Sequence, residues 1–102
     1  MIHVLASITV KPSQRDAFVA AFKQLVPEVL AEDGCIAYSP NIDTPTGLDA
    51  QSPVDENRVM VIEQWQSVEH LKAHLVAPHM QAFREKNGEL VESMTLQICE
   101  PA

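Results

Sequence analysis

The segment VMVIEQW, residues 59 to 65, has the alternation of a β-strand with one polar group on its apolar face. Alternate side chains of a strand point to the same side. One face therefore carries two valines, a glutamate and the only tryptophan, namely Val59, Val61, Glu63 and Trp65. A carboxylate on a core-facing surface is costly unless it is paired or hydrogen-bonded. The segment predicts a strand that brings one acidic group toward the interior.

Three further strands are predicted around this one, over residues 2–10, 35–41 and 93–99. In the first, alternating apolar residues from Ile2 to Val10 share a face, and in the second Ile36 and Tyr38 are expected to do so. The connection 41–57 is rich in Pro, Asp, Thr and Gly and has no period. A connection of that length is often functional in a compact domain, and a lid or a dimer contact is a possible role.

Helical spacing of apolar residues follows the first and third strands. After Ser13, which with Asp16 resembles a capping box, a helix is expected to run to the stop signal at Gly34, with a kink or break at Pro27. After Ser67 a short helix is expected through about Val76, and Pro78 is placed to begin another segment that Gly88 could end early. The order β-α-β-β-α-β, with the second helix broken, predicts one ferredoxin-like α+β domain over residues 1–102.

Composition excludes several classes of partner. The formal net charge of -7 argues against nucleic acid and anionic lipid as partners. No apolar run reaches the roughly 18 residues that span a bilayer, and no secretion signal is visible. The two cysteines, Cys35 and Cys99, form no metal or disulfide motif, so a cytoplasmic chain with reduced thiols is expected.

The histidines of the downstream helices are the candidates for chemistry. His74 borders the apolar stripe of its helix, and His79 lies one turn before Phe83 on the buried side. Each is either a buried structural histidine or an acid/base group facing a pocket. His70 and His74 have the i, i+4 spacing of metal ligands but lack the glutamate of the usual motif, so no metal is expected. Trp65 is read either as core or as a pocket wall.

Taken together, these residues resemble the antibiotic biosynthesis monooxygenase family, and its bacterial quinol monooxygenase branch most of all. The resemblance rests on Gly34-Cys35 with Tyr38, on EQWQS at 63–67, and on HLxxHLxxPHM at 70–80. It implies a homodimeric ferredoxin-like α+β barrel with a pocket between the sheet and the helices of each protomer. It also implies oxygenation of electron-rich aromatics without flavin, haem or metal.

The leading expectation is a cofactor-independent monooxygenase that oxidises a quinol or other dihydroxyaromatic with molecular oxygen. His74 is the expected base and His79 the second choice, while Glu63 would orient a histidine. Trp65, Tyr38, Asn41 and Phe83 are the expected substrate contacts. Val61 and Ser7 stand where polyketide-oxidising and haem-degrading members carry asparagines, so neither specialised mechanism is transferred.

Two other functions are compatible with the same residues. The first is a dimeric module that binds a small hydrophobic or quinone-like ligand without turnover. The second is haem binding and degradation with His74 or His79 as the axial ligand.

Overall fold

The computed structural model describes all residues 1–102 and shows four strands and three α-helices. The elements are β1 (Ile2–Val10), α1 (Arg15–Leu30), β2 (Cys35–Asn41), β3 (Arg58–Trp65), α2 (Val68–Leu75), α3 (Pro78–Asn87) and β4 (Val91–Cys99). A 3₁₀ turn, Gly88–Leu90, joins α3 to β4. The order β2-β3-β1-β4, with every neighbouring pair antiparallel, is the ferredoxin-like α+β arrangement that the sequence predicted. No helix is long and apolar enough to cross a bilayer.

The core lies between one face of the sheet and the helices. The alternating residues of β1 and β3 face it, together with one stripe of α1, and the buried set is Ile2, Val4, Ala6, Ile8, Val10, Phe18, Phe22, Leu25, Val29, Val59, Val61 and Trp65. Glu63 lies on this same face and is only 5% exposed. The predicted mixed face of β3 is therefore confirmed.

The beginning and the end of α1 differ from the expectation. Ser13 has a φ of 67°, and Gln14 occupies the N-cap position without a side-chain hydrogen bond, so no capping box forms. Pro27 does not break the helix, because the turn that follows it is held by the bond from Ala31 N to Pro27 O. The buried Val29 anchors that same turn in the core.

A bulge in β2 corrects the predicted facing of its side chains. The pairing with β3 shifts between Cys35 and Ala37, and an extra residue in one strand reverses the facing of the residues beyond it. As a result Tyr38 is buried opposite Glu63, whereas Ile36 is 47% exposed on the other side.

The strand β4 begins at Val91, two residues earlier than predicted, and its helix-side face is largely uncovered. Met94, Leu96 and Ile98 pair with core-facing residues of β1, so they belong to the same face of the sheet. They are nevertheless 54%, 40% and 43% exposed, because the helices of the protomer cover that edge of the sheet only sparsely.

The long connection 42–57 is fastened at its two ends. The Asp43 carboxylate accepts hydrogen bonds from the Arg58 guanidinium, with 3.2 Å between Nε and Oδ1, and from the backbone N–H of Asp55 at 2.9 Å. These bonds lower the pKa of the Asp43 carboxyl, with the side-chain bond to Arg58 as the main cause.

Candidate functional site

A cavity of about 330 Å³ lies between the sheet and the helices. Its walls are mainly aliphatic and aromatic, and they come from all four strands and all three helices: Ala6, Ile8, Phe18, Phe22, Tyr38, Val61, Glu63, His74, Leu75, Met80, Phe83, Arg84, Asn87, Gly88, Val91, Met94 and Leu96. An apolar cavity of this size with a few polar groups is the usual form of a small-molecule site. Met94 and Leu96 of β4, which belong to this lining, are partly exposed to solvent.

An aromatic cluster forms one wall. The rings of Phe22 and Tyr38 stack with centroids 5.5 Å apart, and Phe83 meets Phe22 edge-on at 5.6 Å. Tyr38 in turn packs edge-on against the His74 ring at 5.3 Å. Burial raises the pKa of the Tyr38 phenol well above its usual value, and the nearby Glu63 carboxylate adds to that shift. Tyr38 therefore stays a neutral hydroxyl in the wall of the cavity.

Trp65 lies behind the wall rather than on it. Its side chain is fully buried, and the indole ring packs against the His74 ring with 4.7 Å between centroids. The indole N–H donates to Oε1 of Glu63 at 2.9 Å. In this structure the tryptophan supports two cavity residues, Glu63 and His74, while the rings of Tyr38 and Phe83 line the cavity itself.

Glu63 has an unusual environment for a carboxyl group. Burial raises its pKa to about 7, and the hydrogen bond from Trp65 opposes that shift only in part. No hydrogen bond joins Glu63 to a histidine, so the expected orienting role is not present in this geometry. Instead, the structure places a titratable carboxyl in the lining of an otherwise apolar cavity, where it can accept from or donate to a ligand hydroxyl.

Glu32, in the turn after α1, makes the contacts that were expected of Glu63. Its Oε2 atom lies 2.8 Å from Nδ1 of His74 and 2.7 Å from Nε2 of His79, so one oxygen bridges both imidazoles. No pattern in the sequence indicated this carboxylate, which lies 42 and 47 residues away from its partners along the chain. Only the packing of the α1–β2 turn against α2 and α3 brings the three together.

His74 is 2% exposed and lines the cavity. Burial lowers the pKa of its imidazole, and the bond to Glu32 opposes that effect. Its Nε2 atom has no hydrogen-bond partner in the protein. Every fully buried side-chain nitrogen or oxygen of the protein does have such a partner. The Nε2 atom therefore retains accessible surface, and with Nδ1 held by Glu32 it is the nitrogen available to a ligand.

The remaining expected site residues lie away from the cavity. His79 is on the far side of Glu32, where it borders a shallow outer depression with Glu28 and Lys86. The exposed Asn41 bonds to Ser39 at the end of β2, and it does not reach the cavity of its own protomer. The expected lining residues Tyr38 and Phe83 do reach it.

A metal ion could in principle be held by one carboxylate and two imidazoles that lie together, those of Glu32, His74 and His79. Their potential ligand atoms lie within 4.8 Å of one another. Two ligands at about 2.1 Å from a tetrahedral ion would stand roughly 3.4 Å apart. The observed separations of 2.7 and 2.8 Å are hydrogen-bond lengths instead. The geometry is that of a carboxylate accepting two imidazole N–H groups.

The antibiotic biosynthesis monooxygenase family model matches residues 1–86, which include all of the cavity polar groups named above except Asn87. The chain belongs to the antibiotic biosynthesis monooxygenase family. This membership makes it an oxidoreductase, and it confirms the resemblance found in the sequence.

A bacterial relative agrees with the assignment, and solved structures share the fold. The chain is 42% identical to YgiN of Escherichia coli K12, described as a probable quinol monooxygenase, over 99% of this chain and 98% of the relative. It superposes on Rv0793 of Mycobacterium tuberculosis with a TM-score of 0.79 at 24% identity, covering 99% and 94% of the two chains. It also superposes on SO0527 of Shewanella oneidensis with a TM-score of 0.76 at 27% identity, covering 96% and 87%.

Proposed function

We propose that the protein is a cofactor-independent monooxygenase that oxidises a quinol or another dihydroxyaromatic with molecular oxygen. The observation that carries the proposal is His74, a buried imidazole whose Nδ1 is bound by Glu32 and whose Nε2 is available to the apolar cavity. A lowered pKa keeps this imidazole neutral near pH 7, which is the form that a general base requires. The 42% identity with a probable quinol monooxygenase supports the same substrate class.

The substrate itself supplies the electrons in this reaction. A dihydroxyaromatic and O₂ give a hydroxyquinone and one water, so one oxygen atom enters the ring and the other is reduced to water. Of the four electrons that O₂ accepts, two come from conversion of the quinol to the quinone and two from hydroxylation of a ring carbon. The balance therefore requires no further reductant, and no cofactor is proposed.

Deprotonation of the quinol is the step that the protein can assist. A phenol of pKa about 10 and an unperturbed imidazole of about 6.5 differ by about 3.5 units, which corresponds to roughly 5 kcal/mol, and the lowered pKa of His74 widens this gap. Pairing of the phenolate with the new imidazolium in a cavity that excludes water offsets much of this difference. The phenolate is the better reductant toward O₂, so proton transfer to His74 Nε2 activates the substrate.

The other lining residues then have defined roles. The Tyr38 hydroxyl, which has no protein partner, donates to a substrate oxygen, and Phe83 packs against the ring. Glu63 exchanges a hydrogen bond with the second hydroxyl, and Trp65 holds both Glu63 and the His74 ring in place. His79, the second choice of base, lies outside the cavity on the far side of Glu32, so His74 is the base in this proposal.

The test is oxygen uptake with menadiol, measured above the autoxidation blank. His74→Ala is expected to lower the rate roughly 10²- to 10⁴-fold, the usual contribution of a general base. His70→Ala is the matched control, because His70 lies one turn away and bonds to Ser67 outside the cavity. Uptake that is unchanged in His74→Ala, with the circular dichroism spectrum intact, would remove His74 from the mechanism.

A binding module without turnover is the second candidate, and the mainly apolar lining of the cavity is the observation that favours it. Trp65 contacts the cavity residue His74, so its fluorescence reports on ligand entry. Quenching by menadione without oxygen uptake from menadiol would select this function over catalysis.

We also propose that the protein acts as a homodimer in the cytoplasm. The uncovered face of β4, formed by Met94, Leu96 and Ile98, continues the wall of the cavity, and a large exposed apolar surface usually marks an interface. Both cysteines are free thiols, as expected in a reducing compartment. Light scattering at micromolar concentration is expected to give twice the monomer mass, and a monomer would refute the dimer.

A further inference from the structure

We propose that Glu32 is a positioning residue for His74, and that His79 acts on the same base through Glu32. The carboxylate holds the His74 tautomer with the proton on Nδ1, which leaves the Nε2 lone pair for the substrate. This inference rests on the proposed function where it concerns the rate, but its structural part concerns the ligand-free protein alone.

The first support is the geometry of the shared oxygen. A single atom, Glu32 Oε2, is 2.8 Å from His74 Nδ1 and 2.7 Å from His79 Nε2. An ionised carboxylate only accepts, so both ring nitrogens must be donors. A neutral imidazole carries one N–H, and His74 therefore has its lone pair on Nε2. The second ring nitrogen of a histidine is commonly set in this way by the bond that the first one makes.

The second support is the location of the three residues relative to the cavity. His74 is in the lining, whereas Glu32 and His79 are outside it. The Glu32 side chain is 13% exposed and that of His79 24% exposed. Changes at the two outer residues can therefore alter the base without removing a contact to the substrate. Glu32 also attaches α2 and α3 to the α1–β2 turn, which fixes the orientation of the imidazole ring.

The two outer residues act on the charge of His74 with opposite signs. The Glu32 carboxylate stabilises an imidazolium at position 74, whereas a protonated His79 repels one. Other ionisable groups surround Glu32, His74 and His79, and they come from β2, β3, α1 and α3. These groups are Cys35, Tyr38, Glu63, Glu28, Arg84 and Lys86. Both variants described below retain all of them. Opposite effects of two changes on one base would distinguish electrostatic positioning from general loss of structure.

The experiment compares Glu32→Gln with His79→Ala. The glutamine keeps a carbonyl that can accept from Nδ1 but removes the charge. A hydrogen bond to a charged group contributes about 1.5–3 kcal/mol, so kcat with menadiol is expected to fall roughly 10- to 150-fold. KM is expected to stay within about twofold, because Glu32 does not line the cavity. Asp33→Asn is the matched control, since it removes the neighbouring carboxylate, which faces His70.

The pH profile and the NMR spectrum give readouts that a merely structural role would not move. The acidic limb of kcat/KM is expected to move to lower pH in Glu32→Gln and to higher pH in His79→Ala. In ligand-free protein, ¹⁵N NMR is expected to show the His74 proton on Nδ1 and to show the same opposite shifts of its pKa.

The two proposals fail in different ways. A wild-type protein that shows the Nδ1–H tautomer but no oxygen uptake would refute the proposed function and leave the positioning intact. An Nε2–H tautomer in the wild type, or shifts of the same sign in both variants, would overturn the positioning even if the enzyme is active.

Discussion

Replacement of Glu63 by glutamine is expected to change how the stability of the protein depends on pH. Burial raises the Glu63 pKa to about 7 in the folded protein, against 4.5 for an unperturbed glutamate. The folded state therefore holds a proton that the unfolded chain releases between these values. Stability from this group is fully present below about pH 4.5 and is lost as the pH rises through about 7.

The size of the effect follows from the pKa difference. A difference of two to three pKa units corresponds to roughly 3 kcal/mol in total, most of which falls between pH 5 and pH 8. Glutamine at position 63 does not titrate and keeps a carbonyl oxygen for the Trp65 N–H. The variant is thus expected to gain roughly 2 to 3 kcal/mol of unfolding free energy relative to wild type over this interval.

Urea unfolding at pH 5 and pH 8, at one protein concentration, measures this gain directly. The quantity compared between pH 5 and pH 8 is the unfolding free energy of the variant minus that of the wild type. Other titrating groups contribute equally to both proteins and cancel in this difference. Glu85→Gln, on the exposed side of α3, is the control and is expected to show no such change. A difference for Glu63→Gln that stays constant within about 0.5 kcal/mol would refute the raised pKa and the protonated cavity carboxyl.

Two further predictions concern the connections between the helices and strands. Gly34→Ala is expected to lower the free energy of unfolding more than Gly47→Ala does. Both glycines have positive φ, which strains an alanine by about 1–2 kcal/mol. A Cβ at position 34 would in addition lie 2.3 Å from the His70 ring, whereas a Cβ at position 47 has no atom within 4 Å. Thermal unfolding is expected to show the larger loss at 34, about 4–8 °C per kcal/mol, and equal losses would contradict the clash. Asp43→Asn is expected to speed proteolysis within the connection 42–57, with a stability loss below about 1 kcal/mol, while Asp49→Asn leaves cleavage unchanged. Equal cleavage of the two variants would show that Asp43 does not fasten the connection.

Local patterns in the sequence were sufficient for the order of elements. Alternation over 2–10 and 59–65 predicted β1 and β3, and the facing of Glu63 followed from the same period of two. Ser67 was identified as the cap of α2, and its hydroxyl accepts from the His70 N–H. The facing of Ile36 was wrong because a bulge changes the period without leaving a composition signal.

The sequence alone determined that a carboxylate and an imidazole would face the interior, because periodicity fixes the side of an element on which each residue lies. Periodicity identified His74 and Glu63 in this way, and both residues belong to the motifs that resemble the family. Only the tertiary structure decided their partners, since hydrogen bonds depend on distances between segments that no local period encodes. In the tertiary structure Glu63 accepts a hydrogen bond from Trp65. His74 is hydrogen-bonded to Glu32, a turn residue more than forty positions away along the chain. The cavity itself is likewise a property of how the helices cover the sheet.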